Sequence, residues 1–373
     1  MGDGLFHAER IFDGTRWHDD ASLRVSAGRV VEILSGAAEA EPLTGWIAPG
    51  LIDLQVNGGG GVLFNNDPSP QGITAICAAH ARFGTTAVMV TLITDAPDVT
   101  AAAISAAERA NVPGFLGLHL EGPHLDRARK GTHDPTLIRP MEEEDLALIL
   151  RAASQLRHLI CTVAPEAVSL AQVQVLAAAG VVVSLGHSDC ATETARAYAG
   201  AGASMVTHLF NAMSPFSHRA PGLVGAALDE PRFSVGLIAD GFHVDDTALR
   251  VALRAKAGPG TMFLVSDAMS TVGSNLTGFV LNGRQIFRSA GRLTLADGTL
   301  AGADIALIDA VRHVHLALGL PLEEAWHLGS AAPAAALGLA DRGHLRPGAW
   351  ADFVCMTPDI RATSTWIGGV RVA

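Results

Sequence analysis

The sequence predicts an α/β protein: a (β/α)8 TIM barrel with a small β-sandwich domain formed by the N- and C-terminal segments. Between residues 47 and 343, short β-branched runs alternate with Ala-rich stretches of helical spacing. Eight such runs favour a closed barrel of parallel strands over an open sheet. The two ends of the chain instead carry short strand-like runs separated by Gly and Asp turns.

The terminal segments are expected to pair with each other. The first contains the runs Leu23–Val25 and Val30–Leu34, and the last contains Ala351–Met356 and Thr365–Val370. Neither segment alone has enough strands to bury one face of a sheet. We therefore predict one β domain from residues 1–46 and 344–373, and a barrel domain from residues 47–343.

The middle of the chain supplies the barrel elements in order. The predicted strands are Leu51–Val56, Ala87–Ile93, Phe115–Leu120, Leu159–Val163, Val181–Leu185, Met205–Leu209, Val235–Ile238 and Met262–Val265. The predicted helices are Gly72–Phe83, Val99–Ala110, Glu142–Ser154, Leu170–Ala179, Thr192–Ala199 and Asp245–Ala255. After the eighth strand, Gly278–Leu300 is predicted to be an inserted hairpin with turns at Asn282-Gly283 and Asp297-Gly298.

Composition excludes several classes of protein. The 373 residues include 37 acidic and 26 basic side chains, and the formal charge of −11 argues against a nucleic-acid partner. No apolar run reaches the roughly 18–20 residues that a membrane helix needs, so we expect no membrane partner. The first residues, MGDGLFHAERIFDG, do not resemble a secretory signal, and the four cysteines show no CxxC spacing. These features predict a cytoplasmic protein.

Three candidate metal ligands follow predicted strands. Glu121 ends strand three, His187 follows strand five, and His208 lies at the end of strand six. In a TIM barrel these positions meet at the C-terminal face, where the chemistry of the fold lies. Two imidazoles and one carboxylate form the ligand set of a catalytic zinc with an open position. The alternative is that the histidines are structural, with their hydrogen bonds satisfied in the core.

Asp267, at the end of strand eight, is the expected general base and acid. A carboxylate beside a metal-bound water can accept its proton and later deliver it to a leaving amine. The alternative is an aspartate that caps the next turn.

The motifs along the chain resemble the amidohydrolase superfamily and, within it, the N-acetylglucosamine-6-phosphate deacetylase family. The resemblance covers nearly the whole chain in order. It rests on APGLIDLQVNGGGG at 48–61, HLEGPH at 119–124, KGTH at 130–133, GHS at 186–188, THLFNAM at 207–213, HRAPGLVG at 218–225, DGFHV at 240–244, SDAM at 266–269 and HLRPGAWADFV at 344–354.

The resemblance implies roles for individual residues. Glu121, His187 and His208 match the family's metal ligands, Asp267 its acid/base, and His133 the residue that polarises the substrate carbonyl. It also implies a homodimer in which Arg219 crosses the interface to contact the substrate phosphate. The implied substrate-binding residues are Thr132, His133, Asn211, Ala212, Arg219, His243, Leu300, Ala301 and Gly302. One departure from the pattern is His124, where relatives carry an aromatic residue, and it bears on the pocket near the sugar.

The number of metal ions can be predicted by comparison with the superfamily. Many amidohydrolases bind a second metal through His-x-His on strand one, but here Gln55 and Asn57 occupy those positions, and amides coordinate transition metals poorly. Binuclear members often use a carboxylated lysine at the end of strand four. The two lysines of this chain, Lys130 and Lys256, both lie elsewhere. We therefore predict one divalent metal ion, Zn²⁺, with the second-metal positions vacant.

The implied activity is zinc-dependent hydrolysis of the acetamide of N-acetylglucosamine-6-phosphate to glucosamine-6-phosphate and acetate. The nucleophile would be a metal-bound water, with Asp267 as general base and acid. The alternative within enzymes is a related mononuclear amidohydrolase that deacetylates another N-acetyl amino sugar, such as a galactosamine phosphate, or an N-acyl amino acid. There are two non-enzymatic alternatives. One is a catalytically dead barrel kept as an interaction module, and the other is a regulator that binds a sugar phosphate. The presence of all four expected residues, Glu121, His187, His208 and Asp267, argues against both.

Overall fold

The computed structural model describes residues 1–37 and 39–373. Its centre is a sheet of eight parallel strands in sequence order. They are β1 (Leu51–Val56), β2 (Thr85–Ile93), β3 (Phe115–Glu121), β4 (Leu159–Val163), β5 (Val182–Leu185), β6 (Met205–Val206), β7 (Ser234–Leu237) and β8 (Met262–Leu264). A parallel bridge between Val56 and Ala268 joins the end of β1 to the segment after β8 and closes the ring. The predicted TIM barrel is confirmed.

Helices surround the barrel. They are α1 (Pro70–Ala81), α2 (Pro97–Arg109), α3 (Glu143–Gln155), α4 (Leu170–Ala178), α5 (Thr192–Gly200), α6 (Gly222–Asp229), α7 (Asp246–Ala255), α8 (Leu307–Leu316), α9 (Leu322–Gly329) and α10 (Ala331–Ala336). Sequence signals explain several of their starts. The Ser69 hydroxyl accepts from the Gly72 amide at the start of α1, and Ser169 and Gln172 form a capping box on α4. The helices predicted from periodicity do not include α6, which begins with Gly222, or the later helices α8, α9 and α10.

The barrel interior is apolar below its C-terminal rim. Ile52, Met89, Ile160, Met205 and Phe263 belong to one buried cluster inside the ring. Such inward-pointing layers make the lower barrel a packed core. The candidate metal ligands and Asp267 lie above this apolar layer, at the rim where the strands end.

The two ends of the chain form a second sheet of eight strands, separate from the barrel. Its strands are Gly4–Phe12, Trp17–Ser26, Arg29–Ser35, Glu41–Pro42, Trp46–Pro49, Phe353–Met356, Ala362–Ile367 and Val370–Arg371. Trp46–Pro49 pairs with both terminal segments and joins them. The arrangement agrees with the predicted β-sandwich, and its core includes Phe6, Leu23 and Phe353. We propose that this sheet forms a domain distinct from the barrel.

The inserted segment differs from the predicted hairpin. It is a four-stranded antiparallel sheet made of Gly278–Leu281, Arg284–Ser289, Arg292–Thr294 and Leu300–Ala303. The turn that was not predicted is the second, Ala290-Gly291, where both residues have positive φ. An Ala-Gly pair lacks the Asn or Asp that usually announces such a turn, so the sequence did not reveal it. The last strand returns to the barrel mouth, where Ala303 bridges to Ala268. A shorter strand pair, Gly58–Gly59 with Val62–Leu63, follows β1.

Candidate active site

The three predicted metal ligands converge at the C-terminal rim of the barrel. Glu121 is the last residue of β3, His187 lies two residues beyond β5, and His208 lies two residues beyond β6. All three are buried. The turn after β5 requires a left-handed backbone at His187, with φ of +47°.

The separations of their donor atoms match a tetrahedral cation site. Glu121 Oε1 lies 3.0 Å from His208 Nε2 and 3.4 Å from His187 Nε2, and the two imidazole nitrogens are 3.1 Å apart. Zinc bonds of about 2.0–2.1 Å imply ligand-to-ligand distances of roughly 3.3 Å in a tetrahedron. The residues present therefore fit a small divalent metal ion.

His133 adds a fourth donor to the cluster. The ligand atoms of Glu121, His133 and His187 lie within 4.8 Å of one another. His133 Nε2 is 3.7 Å from Glu121 Oε2, slightly farther than His208 and His187 are from Oε1. The other ring nitrogen, Nδ1, lies 2.7 Å from the hydroxyl of Thr94, which follows β2. The closer spacing of Glu121, His187 and His208 favours those three as ligands and leaves His133 beside them.

Hydrogen bonds and burial set the protonation of this cluster. The Nδ1–H of His187 donates to the Arg129 carbonyl at 3.0 Å, which leaves its Nε2 lone pair facing Glu121. Burial alone would raise the pKa of Glu121, but its contacts with the His187 and His208 imidazoles hold it well below its ordinary value. Burial and the neighbouring His187 keep the pKa of His133 well below its ordinary value, so this ring is neutral.

Asp267 lies across the site and is held by two amides. Its Oδ1 accepts from Asn57 Nδ2 at 2.7 Å and from Gln55 Nε2 at 3.3 Å. Burial and the nearby Glu121 carboxylate raise the pKa of Asp267 to about 6. A carboxyl group that titrates near neutral pH suits a residue that both takes and returns a proton.

Gln55 connects the candidate ligand Glu121 to Asp267. Its Nε2 also donates to Glu121 Oε1 at 2.9 Å, and its Oε1 accepts from the Thr207 hydroxyl at 2.6 Å. The amide thus uses its oxygen on Thr207 and its nitrogen on two carboxylates. This arrangement leaves Gln55 poorly suited to bind a second cation.

Most predicted site residues line one cavity of about 230 Å³ above this cluster. Those in its wall are Asn57, Glu121, Thr132, His133, His187, His208, Asn211, Ala212, His243, Asp267, Leu300 and Gly302. Ile93, Gly131, Ile238 and Thr299, which were not predicted, complete the lining. Ala301 instead packs into the apolar core of the inserted sheet. Arg219 is exposed on the irregular segment between His208 and α6.

His243, in the same cavity, is fixed by a carboxylate behind it. Its Nδ1–H donates to Asp240 Oδ2 at 2.7 Å, and Asp240 Oδ1 accepts the amides of Phe242 and His243. The ring therefore turns Nε2 away from Asp240. Asp240, Thr94 and Thr207 were missed at the sequence level, although each is a polar residue just beyond a barrel strand, which is the signal that identified the ligands.

His124 does not belong to the cavity wall as the structure has it. Its Nδ1–H donates to the Arg139 carbonyl at 3.1 Å, and its Nε2 lies 4.0 Å from Asp145 Oδ2. The residue is 2% exposed. It braces the loop that leads into α3, so its effect on the sugar pocket would be indirect.

A larger cavity lies far from these groups. It measures about 600 Å³ and sits between Phe12, α7 and α9. Its wall mixes leucines such as Leu253 and Leu328 with charged surface residues such as Arg250 and Glu324. The smaller cavity at the rim is lined by the three candidate metal ligands and by Asp267, whose pKa is raised. We therefore place the chemistry in this cavity.

A TIM barrel with this Glu/His/His cluster and an adjacent aspartate defines the class of metal-dependent hydrolases. The profile of the amidohydrolase family matches residues 46–372. The chain belongs to the amidohydrolase family. Within the described part of the chain, the structure contains no helix long and apolar enough to span a membrane.

Individual relatives narrow the comparison to amino-sugar phosphate deacetylases. The N-acetylgalactosamine-6-phosphate deacetylase of Shewanella sp. (strain ANA-3) is 39% identical over 87% of this chain and 83% of its own length. The N-acetylglucosamine-6-phosphate deacetylase of Vibrio furnissii is 32% identical over 98% and 94%. The crystal structure of the Pasteurella multocida N-acetylglucosamine-6-phosphate deacetylase superposes with a TM-score of 0.94 at 30% identity, covering 99% of both chains.

One similar structure contains a substrate. It is a mutant of the N-acetyl-D-glucosamine-6-phosphate deacetylase of Mycobacterium smegmatis in complex with N-acetyl-D-glucosamine-6-phosphate, with a TM-score of 0.91, 31% identity and full coverage of both chains. These matches confirm the predicted resemblance.

Proposed function

We propose that this enzyme hydrolyses the acetamide of N-acetylglucosamine-6-phosphate to glucosamine-6-phosphate and acetate. The observation that carries the proposal is the convergence of Glu121, His187 and His208 with Asp267 in one cavity. Relatives named for this activity cover nearly the whole chain.

Glu121, His187 and His208 would hold one divalent metal ion, which we propose is Zn²⁺. When bound there, such an ion supplies Lewis acidity, which activates water and polarises a carbonyl group. The amides at Gln55 and Asn57 support a count of one. Gln55 already spends its donors on Glu121 and Asp267 and its acceptor on Thr207.

Asp267 would move the proton. Its Oδ1 is held by Asn57 and Gln55, which leaves Oδ2 to accept a proton from the attacking water. The same oxygen then delivers the proton to the amine nitrogen as the C–N bond breaks. A pKa raised to about 6 fits both halves of this exchange.

His133 would stabilise the oxygen of the substrate carbonyl. If the Thr94 hydroxyl donates to Nδ1, the neutral ring carries its proton on Nε2, which faces the cluster. An N–H at that position can donate to the negative charge that develops on the carbonyl oxygen. Asn211, Ala212, Thr132, Leu300 and Gly302 would enclose the sugar.

The phosphate would be bound by His243 and by Arg219 of a second subunit. Asp240 holds the His243 ring through Nδ1, so that Nε2 is directed away from Asp240 and available to a phosphate oxygen. The exposed position of Arg219 is compatible with a role across a dimer interface. Mixed dimers test this: Arg219→Ala and Asp267→Asn subunits, each weak alone, should regain activity when co-assembled, because one site then has both residues. Failure to regain activity would mean that Arg219 serves its own subunit or none.

N-acetylgalactosamine-6-phosphate is the second candidate substrate, because its Shewanella deacetylase shares 39% identity with this chain. Acetate release should be measured with both phosphorylated epimers, with unphosphorylated N-acetylglucosamine, and with an N-acetyl amino acid. We expect the highest kcat/KM for N-acetylglucosamine-6-phosphate. A preference for the galactose epimer would assign the second function, and activity with none of them would contradict the enzymatic proposal.

A further inference from the structure

Glu166 makes an unusual set of contacts just outside the cavity. It follows β4 after Ala164 and Pro165, and its carboxylate reaches the segment after β5. Both of its oxygens accept from the Ser188 hydroxyl, at 3.0 and 2.9 Å, and Oε1 also accepts from the Asp189 amide at 3.0 Å. Glu166 thus holds the two residues that directly follow the candidate ligand His187.

The segment that Glu166 holds is under backbone strain. His187 has φ of +47°, a left-handed conformation that is unfavourable for a residue with a side chain. Such a conformation persists only where surrounding contacts enforce it. Ser188 is completely buried, and its Oγ also accepts from the Cys190 amide at 3.1 Å. Glu166 and Ser188 therefore anchor the turn on its far side.

A second set of contacts closes the arrangement into a ring. The His187 imidazole donates to the Arg129 carbonyl, and the Arg129 guanidinium binds Asp189 Oδ1 at 2.7 Å. The Asp189 amide is the group that donates a hydrogen bond to Glu166 Oε1. Glu166, Asp189, Arg129 and His187 are thus linked in a cycle. The Arg129–Asp189 pair is solvent-exposed and worth little alone. Glu166 is itself an exposed residue, but its carboxylate contacts the buried Ser188 hydroxyl, which makes it the main anchor.

We propose that Glu166 is a positioning residue that fixes the His187 imidazole in the orientation needed to bind the metal ion. This inference rests on the metal site of the proposed function. Glu166 acts through Ser188 and Asp189 and does not line the cavity wall as the structure describes it. Residues that orient metal ligands in this way typically change metal affinity by 10–100-fold when they are replaced.

The geometry predicts different results for two substitutions of Glu166. Glu166→Ala removes both carboxylate oxygens, so the Ser188 hydroxyl and the Asp189 amide lose the acceptor that Glu166 supplies. Glu166→Gln keeps an oxygen at the Oε1 position. That single oxygen is enough to accept from both the Ser188 hydroxyl and the Asp189 amide. The alanine variant should therefore weaken metal binding by about 10–100-fold, whereas the glutamine variant should stay close to the wild type.

The test measures Zn²⁺ affinity by competition with a chelator in the full-length protein, together with the unfolding of the zinc-free protein. Ser188→Ala is a second, milder variant, and Glu108→Ala, an exposed glutamate on α2, is the matched control. We expect weaker zinc binding in Glu166→Ala and Ser188→Ala, rescue in Glu166→Gln, and wild-type binding in Glu108→Ala. The loss of zinc affinity in a double Glu166→Ala/Ser188→Ala variant should be smaller than the sum of the two single losses, because both substitutions remove the Glu166–Ser188 hydrogen bond.

Other outcomes separate this inference from the function on which it rests. Unchanged zinc affinity in Glu166→Ala, with lower stability of the zinc-free protein, would show a purely structural role and overturn the inference alone. Failure of the wild-type protein to bind one equivalent of zinc would overturn the metal site and the inference with it.

Discussion

Replacing Asp53 by asparagine should remove a pH-dependent loss of stability. Asp53 lies in β1 below the active site and is completely buried. Its Oδ1 receives the amides of Gln55 at 3.3 Å and Ser266 at 3.2 Å, while Oδ2 has no hydrogen-bond partner among the residues described. Burial therefore raises the pKa of Asp53 from 3.8 to about 7.

The direction and size of the effect follow from this pKa. Between pH 4 and pH 7 the folded protein keeps a proton on Asp53 that the unfolded chain releases. The free energy of unfolding therefore falls as pH rises through this range. A rise of about three pKa units corresponds to roughly 4 kcal/mol, as an upper limit. The neutral amide introduced by Asp53→Asn would imitate the protonated carboxyl group at every pH.

The assay is urea unfolding of the wild type and of Asp53→Asn from pH 4 to pH 8. Subtracting the unfolding free energy of the wild type from that of Asp53→Asn at each pH cancels the pH dependence that the two proteins share, including that of metal binding. The variant should gain stability over the wild type as pH rises, with most of the gain between pH 4 and pH 7. Asp98→Asn, at an exposed aspartate of α2, should show a flat difference. A flat difference for Asp53→Asn as well would refute the reasoning about buried charge.

Three further predictions concern the site and the core. Asp267→Asn should lower kcat for acetate release by about 10²–10⁴-fold and leave zinc stoichiometry unchanged; an active variant would remove Asp267 from the chemistry. Chelation should abolish activity and one equivalent of Zn²⁺ should restore it, whereas a second equivalent that is bound tightly and raises activity would contradict the single-metal count. Phe263→Ala, inside the barrel, should cost about 3–5 kcal/mol in urea unfolding, whereas the exposed Phe287→Ala should cost far less; equal losses would contradict the packed interior.

The sequence was most informative where hydrophobic runs end in polar residues. The predicted bounds of β1 (Leu51–Val56) and β4 (Leu159–Val163) are those of the structure. Strand six was predicted to extend to Leu209 but ends at Val206. Leu209 is apolar and buried, so it continues the strand pattern, although the chain has already turned into the site. Periodicity reports burial, which strands share with tightly packed turns.

Partners of the site residues were harder to predict than the residues themselves. Glu121, His187, His208 and Asp267 could be proposed because each lies at the end of a strand. Nothing in local sequence shows that Gln55 Nε2 donates to both Glu121 and Asp267, because these residues are 66 and 212 positions away. Such pairings arise from the closure of the barrel, which only the three-dimensional fold supplies.

Backbone strain at the rim explains why the geometry of the site depends on the whole barrel. His187, Phe210, Ala212 and Asp267 all have positive φ, although none is glycine. Each left-handed residue costs roughly 1–2 kcal/mol. Asp and His adopt this conformation more often than most residues do, but Phe and Ala carry no such signal in the sequence. The strain at Asp267 is opposed by its place in the barrel seam, where its amide donates to the Gln55 carbonyl at 3.0 Å and its carbonyl accepts from the Ala303 amide at 2.9 Å. The inserted sheet and β1 thus hold Asp267, the proposed acid/base, in place, and loosening either should misalign Asp267 before it unfolds the protein.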